Sequence, residues 1–454
     1  MFAKSPEVIV VGGGIGGMCL AQALHRDGVP VQVYERGADA GAWLQGYRIH
    51  VNQMGSRSLS QCLPRPLWQA FVATAGDPGP GFRFQTEQLD KLVFVDESLM
   101  NGGATAPADR HYAADRLVLR KLLLTGMEEV VRFGKVFERY ETRPDGRVTA
   151  FFSDGTSATG DLLVGADGAN STVRRQYLPH ARRVETDAVA IGGRLPLTPE
   201  TRNRLPGHLT NGLNLILPQK GCAMFTASFT GMQHASESLE GGDLAASGLD
   251  LRSLADELED YVLFAFIAHR RAYPGHAATL DGQGLKGLLG TMIEGWHPSL
   301  RRMVADSDPE SLLLMPFKTA TPVPSWPASA VTLIGDSIHN MTPAMGMGAN
   351  VALRDAALLS SHLTAVHRGE RSLLDAVGAY EKQMADYGFQ AVRTALRLTD
   401  FMISDNAVAR RAAKGWFRLC DAAGVLKRLS FGGRWTDPTP QEPERLLASS
   451  ASTS

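Results

Sequence analysis

Little in this chain points outward. Its 454 residues hold four cysteines, Cys19, Cys62, Cys222 and Cys420, with no C-x-x-C spacing. Dithiol redox chemistry is thereby excluded, and the thiols read as buried or inert. No metal-ligating pattern stands out, so no metal site is assigned. Charges almost cancel, 46 Lys and Arg against 47 Asp and Glu, leaving no general attraction to nucleic acid or anionic membrane. Runs of about 18 apolar residues are missing, so no integral membrane segment is expected. The first apolar run spans about four residues before glycine intervenes, too short for a signal-peptide core. With unpaired cysteines, that implies a reducing, cytoplasmic setting. No internal repeat is apparent.

What the chain does have is glycine in two acid-bearing signatures. The first reads Gly12-Gly13-Gly14-Ile15-Gly16-Gly17, after an apolar run at 7–11 and before a helical pattern at 18–27. Gly12 suits a tight turn, Gly14 a close backbone approach to pyrophosphate, and Gly17 close packing of helix on strand. The helix start adds free N–H groups and the positive end of a dipole. A second strand is expected at 29–34 and ends in Glu35, placed to accept from ribose hydroxyls. Arg36 follows it, either as a partner for a 2′-phosphate or as a solvated charge. Further on, Gly160 opens a G-D-L-L-V-G-A-D-G-A run that contains Asp167-Gly168, followed by Asn170, Ser171 and Thr172, of which at least one is expected to cap a helix. The apolar run 331–334 then leads into Gly335-Asp336, a carboxylate at the strand edge where sheet ligands bind.

These three motifs, in this order, resemble the single-component FAD-dependent aromatic hydroxylases with the p-hydroxybenzoate hydroxylase fold. The likeness runs from about residue 7 to about residue 380, and G-D-S-I-H-N-M-T-P-A-M-G-M-G-A-N-V-A-L-R-D-A, from Gly335 to Ala356, follows the family pattern closely. Ser337 departs from it, where alanine is commoner. The resemblance implies tightly but noncovalently bound FAD, transient NADPH or NADH, and O2 as co-substrate. Oxygen would pass through a flavin C(4a)-hydroperoxide to a hydrophobic aromatic or polycyclic small molecule, in secondary metabolism. Epoxidation and Baeyer-Villiger oxidation use the same motifs, and a flavin dehydrogenase or a flavin-binding protein without turnover are the alternatives from other classes.

The resemblance also assigns residues. Gly12, Gly14, Gly16, Gly17, Glu35, Arg36, Arg48, Arg116, Asp167, Asp336, Gly346, Gly348, Ala349 and Asn350 are the expected cofactor contacts. Asp336 is implied to hold ribityl hydroxyls. Arg116 is placed near the pyrophosphate, with a solvated helix charge as its alternative. Arg48, Pro343 and Gly346 would position the flavin ring, with no acid or base assigned; a strand-edge charge is the alternative for Arg48, and a structural helix cap for Asn350. A helix beginning near Asn350 would aim its N-terminus at the flavin N1 and C2 carbonyl. No second G-x-G-x-x-G follows a strand, which excludes a resident nicotinamide domain of the disulfide-reductase kind. The W-x-W-x-I-P signature of flavin halogenases is also missing.

The expected fold class is α/β: an FAD-binding doubly wound, Rossmann-like sheet, an antiparallel substrate domain and a helical C-terminal segment. FAD-binding parts are expected at 1–75, 111–184 and 311–365. A substrate-domain insertion is placed at 76–110, the substrate domain itself at 185–310, helices at 366–434 and a disordered tail at 435–454. Strands are expected at 188–194, 213–217, 223–229 and 262–269, the middle two joined as a hairpin. Phe225, Phe229, Phe264 and Phe266 fall among them, as plain core or as a cavity lining. A monomer or homodimer is expected.

Overall fold

A computed structural model describes residues 5–39, 48–219, 221–231 and 259–432. The strand Val8–Val11 is buried at all four positions, as a central parallel strand covered on both faces should be. It pairs in parallel with Leu162–Gly165 on one side and Val31–Tyr34 on the other. Val331–Leu333 and Val131–Arg132 complete a five-stranded parallel sheet. The chain first moves outward through Val31–Tyr34, then returns to the opposite side of Val8–Val11 with Leu162–Gly165. That reversal leaves a crevice between the carboxyl ends of the two neighbouring strands, the switch point where open α/β sheets bind ligands. The helix Ile15–Arg26 begins earlier than the expected 18–27, because Gly16 and Gly17 belong to its first turn.

A seven-stranded sheet forms the second layer system. Its long strand Arg183–Pro196 pairs antiparallel with both Tyr261–His269 and Leu313–Ala320. The expected boundaries at 185 and 310 are therefore corrected: the sheet begins at Arg183 and takes in Leu313–Ala320, whose burial pattern alternates only weakly. The hairpin of Leu213–Ile216 with Cys222–Phe229 forms as expected. One ladder is parallel rather than antiparallel, because Gly81–Gln85, inserted from earlier in the chain, lies beside Leu213–Ile216.

The two faces of this sheet bury different clusters. On one, Ile191, Phe264 and Phe266 pack with Leu289, Trp296 and Leu300 of the region spanning the helices Gly282–Met292 and Pro298–Ala305. On the other, Ala188, Ala190, Leu213, Leu215, Ala223 and Phe317 share a cluster with Ala344 and with Met402 and Ile403. Three of the four phenylalanines are accordingly core: Phe264 and Phe266 lie under the helices, and Phe229 stacks on Tyr261 at 5.4 Å. Phe225 is half-buried beside Phe82.

The C-terminal segment is helical over Met347–His367, Leu373–Ile403, Ala407–Ala422 and Gly424–Phe431. None of the described helices is long and apolar enough to cross a membrane. The tail placed at 435–454 lies outside the described residues, as do Gly46 and Tyr47 before Arg48.

Candidate cofactor site

The glycine loop divides its duties. At Gly12, φ is +110° and a Cβ would stand 2.4 Å from the Ala166 carbonyl oxygen, while at Gly17 a Cβ would stand 2.2 Å from the Gly12 oxygen. Both positions are closed to any side chain by neighbouring backbone. A Cβ at Gly14 would meet nothing within 4 Å, so that position opens onto space at the start of Ile15–Arg26. The first-turn amides there have no acceptor within the helix, and an open cradle under unpaired N–H groups fits a phosphate. Gly16 faces elsewhere: a Cβ there would come within 3.3 Å of the Ala352 side chain. It packs Ile15–Arg26 on Met347–His367.

Glu35 is buried at the end of its strand, with Oε2 accepting from the Gly13 N–H at 2.6 Å and Oε1 from the Gly37 N–H at 2.8 Å. The carboxylate thus ties the glycine loop to the second strand and keeps lone pairs for a ligand. Arg36 is exposed.

Two arginines on the helix Arg116–Leu124 join the distant signatures. Burial lowers the Arg116 pKa, opposed by the charge of Asp336, and burial lowers that of Arg120, opposed by Glu35. Their spacing, i and i+4, puts both on one helix face. Glu35, Arg120, Arg116 and Asp336 therefore form a line of charge from the first motif to the last, two arginines between two acids. Arg120 was missed from the sequence, although its spacing from Arg116 offered the signal.

Asp167 plays a part that the Asp-Gly motif alone does not reveal. Its Oδ2 accepts from the Thr172 and Val173 N–H groups at 2.7 and 3.2 Å, while Ser171 caps the same helix by accepting from Arg174 N–H at 2.8 Å. Asp167 Oδ1 is buried and has no partner among the described residues. Such an oxygen calls for a donor, and it lies in the loop whose Ala166 abuts Gly12. Arg174 donates to the Ser337 carbonyl at 2.8 Å, locking the two acid motifs together.

The last motif folds as a strand edge, a short turn and a helix. Gly335 takes φ +62°, and its N–H donates to Asp355 Oδ2 at 2.6 Å. The same oxygen accepts from His339 Nε2 at 2.6 Å, and Asp355 Oδ1 accepts from the Tyr387 hydroxyl at 2.5 Å. Burial alone would depress the His339 pKa, but the Asp355 carboxylate beside it holds it above the ordinary value. This fully buried group sets the backbone that presents Asp336, and neither Asp355 nor His339 was singled out beforehand.

The expected helix start near Asn350 is corrected to Met347, with Gly346 as a left-handed N-cap. Pro343 and Gly346 are exposed, Gly348 and Ala349 half-exposed. The amides of Met347, Gly348 and Ala349 lack acceptors within the helix, and a Cβ at Gly348 would stand 3.9 Å from Asp336 Oδ1. Asn350 is buried and turned inward, accepting from Asn52 N–H and donating to the His50 and Gly346 carbonyls. Its side chain fastens the strand Arg48–Val51 to the turn.

Arg48 lies on that strand, paired with Tyr112–Asp115. Its guanidinium is buried, Nε and Nη2 have no partner among the described residues, and burial lowers its pKa to about 10 despite the nearby Tyr261 and Asp77. Beside it, His50 Nε2 and His111 Nδ1 share a hydrogen bond of 2.8 Å, and burial keeps both imidazoles neutral, His111 at about 4. The cysteines are all free, yet Cys19 and Cys62 are not isolated from each other. A hydrogen bond between them, with burial, raises the Cys19 pKa and leaves a protonated, unreactive thiol.

Residues 318–395 match the family model for an FAD binding domain, and residues 10–71 that for an NAD(P)-binding Rossmann-like domain. A structure provisionally assigned as an FAD-containing monooxygenase, from Photorhabdus luminescens, is 32% identical and superposes with a TM-score of 0.77, covering 88% of this chain and 99% of that one. The chain belongs to the FAD-dependent aromatic-hydroxylase family. Its cofactor is FAD. Among curated relatives, the dual O-methyltransferase/FAD-dependent monooxygenase elcB of Phaeosphaeria nodorum is 30% identical over 86% of this chain, which spans 44% of that protein's length. The FAD-dependent urate hydroxylase of Klebsiella pneumoniae is 25% identical, over 84% of this chain and 86% of its own. The Klebsiella HpxO structure with FAD and uric acid shares the fold, with a TM-score of 0.74 at 21% identity.

Proposed function

We propose that this flavoprotein is an NAD(P)H-consuming monooxygenase that places one oxygen atom from O2 in a hydrophobic aromatic or polycyclic substrate. The observation that carries the reading is the turn 343–349: it presents unpaired helix-start amides beside Asp336, and its own Ala344 joins the apolar, alanine-rich face of the seven-stranded sheet. Bound FAD supplies hydride acceptance and oxygen activation there. Gly14 gives the pyrophosphate its approach, with Arg116 and Arg120 neutralising its charge. Glu35 and Asp336 accept from ribose and ribityl hydroxyls, and Asp167 Oδ1 takes a further hydroxyl. The amides of Met347, Gly348 and Ala349 would donate to negative charge on the bound flavin, and Arg48 would help to orient it. Arg36, exposed directly after Glu35, would meet the adenosine side.

Hydroxylation of an electron-rich ring is the favoured outcome, ahead of epoxidation and Baeyer-Villiger insertion. Fungal relatives named as both O-methyltransferase and monooxygenase support a product hydroxyl that is methylated next. A cytoplasmic monomer or homodimer completes the reading. The test is mass spectrometry of products formed with NADPH, 18O2 and a panel of polycyclic phenols. One added 18O per product is the expected result; NADPH-driven turnover with no 18O in the product would make the protein a dehydrogenase.

A further inference from the structure

The chain's near-neutral charge conceals one strongly biased surface. Residues 407–431 contain six basic residues, Arg410, Arg411, Lys414, Arg418, Lys427 and Arg428, against the single acid Asp421. Three of the six are used internally. Arg410 is buried, donating to the carbonyls of Pro218, Cys222, Phe401 and Met402, Lys414 lies 3.8 Å from Glu87, and Lys427 lies 3.3 Å from Asp421. Asp421 is also paired with Lys91. Arg411, Arg418 and Arg428 are exposed and make no ion pair or hydrogen bond among the described residues.

The same helices expose large apolar side chains. Val408 is 75% exposed, Trp416 46%, Leu419 49%, Val425 71% and Leu429 72%. On Ala407–Ala422, positions 408, 412, 416 and 419 share one face. The opposite face anchors the helix through Arg410, Cys420 and Phe417, whose ring lies 5.0 Å from that of Phe84. The outward stripe is therefore spare rather than a consequence of loose packing. A second copy covers it poorly, because a two-fold interface sets the same patch against itself and would oppose arginine to arginine.

We propose that the helices Ala407–Ala422 and Gly424–Phe431 dock this protein on an anionic lipid surface. An apolar stripe carrying a tryptophan, flanked by unpaired arginines, is the composition that lies in a membrane interface. Val408, Trp416, Leu419, Val425 and Leu429 enter the acyl boundary, and Arg411, Arg418 and Arg428 meet the headgroup phosphates. No spanning segment is involved.

Flotation of the FAD-loaded full chain with phosphatidylcholine vesicles, with and without phosphatidylglycerol, tests this. Binding is expected with the anionic vesicles alone and should fade from about 0.1 to about 1 M salt as the Debye length shrinks from about 10 to about 3 Å. Each of Arg411→Gln, Arg418→Gln and Arg428→Gln should weaken partitioning roughly fivefold. Trp416→Phe should remove a lipid-induced blue shift in emission, and Trp416→Ala with Leu429→Ser should abolish binding while FAD content and NADPH oxidation persist. Equal binding to neutral vesicles, or none to anionic ones, overturns the proposal. A dimer seen by light scattering and split by Leu429→Asp, without vesicle binding, would give the face to a second copy instead.

Discussion

Around the parallel sheet, the ligand-facing groups are largely backbone, held open by glycine and fixed by buried acids. In the seven-stranded sheet, the exposed possibilities belong to side chains, and the glycines have little part in them. The contrast has a physical origin. Bringing a bare peptide close to phosphate or a flavin needs particular residue types at adjacent positions, so the requirement compresses into short words of sequence. Shaping a cavity needs only volume and polarity, which alternating strands supply from scattered positions.

The comparison can be broken at either sheet. Phe266→Ala should cost about 3–5 kcal/mol, the usual penalty for emptying a buried aromatic site, and unfold the seven-stranded half first. Limited proteolysis should then cut 183–320 while 8–165 stays protected; uniform digestion would mean that the halves melt as one.

Cofactor affinity comes next in size. Asp336→Ala and Gly14→Val should each weaken FAD by about 100-fold, or about 2.7 kcal/mol, with far-UV circular dichroism unchanged. Gly17→Ala, in contrast, should lower stability before affinity, because its Cβ meets the Gly12 oxygen. Flavin absorbance against unfolding midpoint distinguishes the two glycines. If Gly14→Val stayed fully yellow, the open cradle would not be the phosphate site.

Glu381 sharpens the comparison from the side of the scaffold. Burial raises its pKa to about 7, although it accepts from Thr332 and Tyr177. The folded state therefore holds the proton more tightly than the unfolded state, and this contribution is complete below about pH 4.5 and lost as pH rises through 7. Glu381→Gln should flatten that slope and stabilise the protein by about 2 kcal/mol at pH 8, read from urea midpoints at pH 5 and 8. Equal midpoint shifts at both pH values would exclude the titration.

The smallest effect is expected at Arg48. Arg48→Ala should reduce the acceleration of flavin reduction by substrate about tenfold, roughly 1.4 kcal/mol, and leave FAD binding within about threefold. Stopped-flow absorbance with and without substrate measures it, and an unchanged acceleration would leave Arg48 a buried structural charge.

These expectations show where sequence was legible. The loop at Gly12 and the Gly335-Asp336 edge could be placed because strand, glycine and acid are contiguous. Helix starts shifted by a few residues because Gly16 and Gly348 are poor helix formers yet lie inside first turns. Arg120, Asp355 and the His50–His111 pair stayed hidden because their partners are distant in the chain: Asp355 fixes Gly335 from 20 residues away and His50 meets His111 from 61. The packing roles of Gly16 and Asn350 were hidden for a related reason. A motif marks that a residue matters to a loop, but only packing says whether it faces the ligand or holds the loop from behind.

The order of strands in the parallel sheet has a consequence for biosynthesis. Val8–Val11 pairs directly with Leu162–Gly165, whose other neighbour, Val331–Leu333, emerges from the ribosome more than 300 residues later. At about 5–20 residues per second, the first strand waits roughly 15–65 seconds for a complete sheet. During that interval the outer edge of Leu162–Gly165 is unpaired, and the acid at residue 336 has not yet been made. FAD capture is thus a late event in the life of each molecule, and the nascent chain depends on chaperones or on the seven-stranded layer to shelter that edge until translation is nearly done.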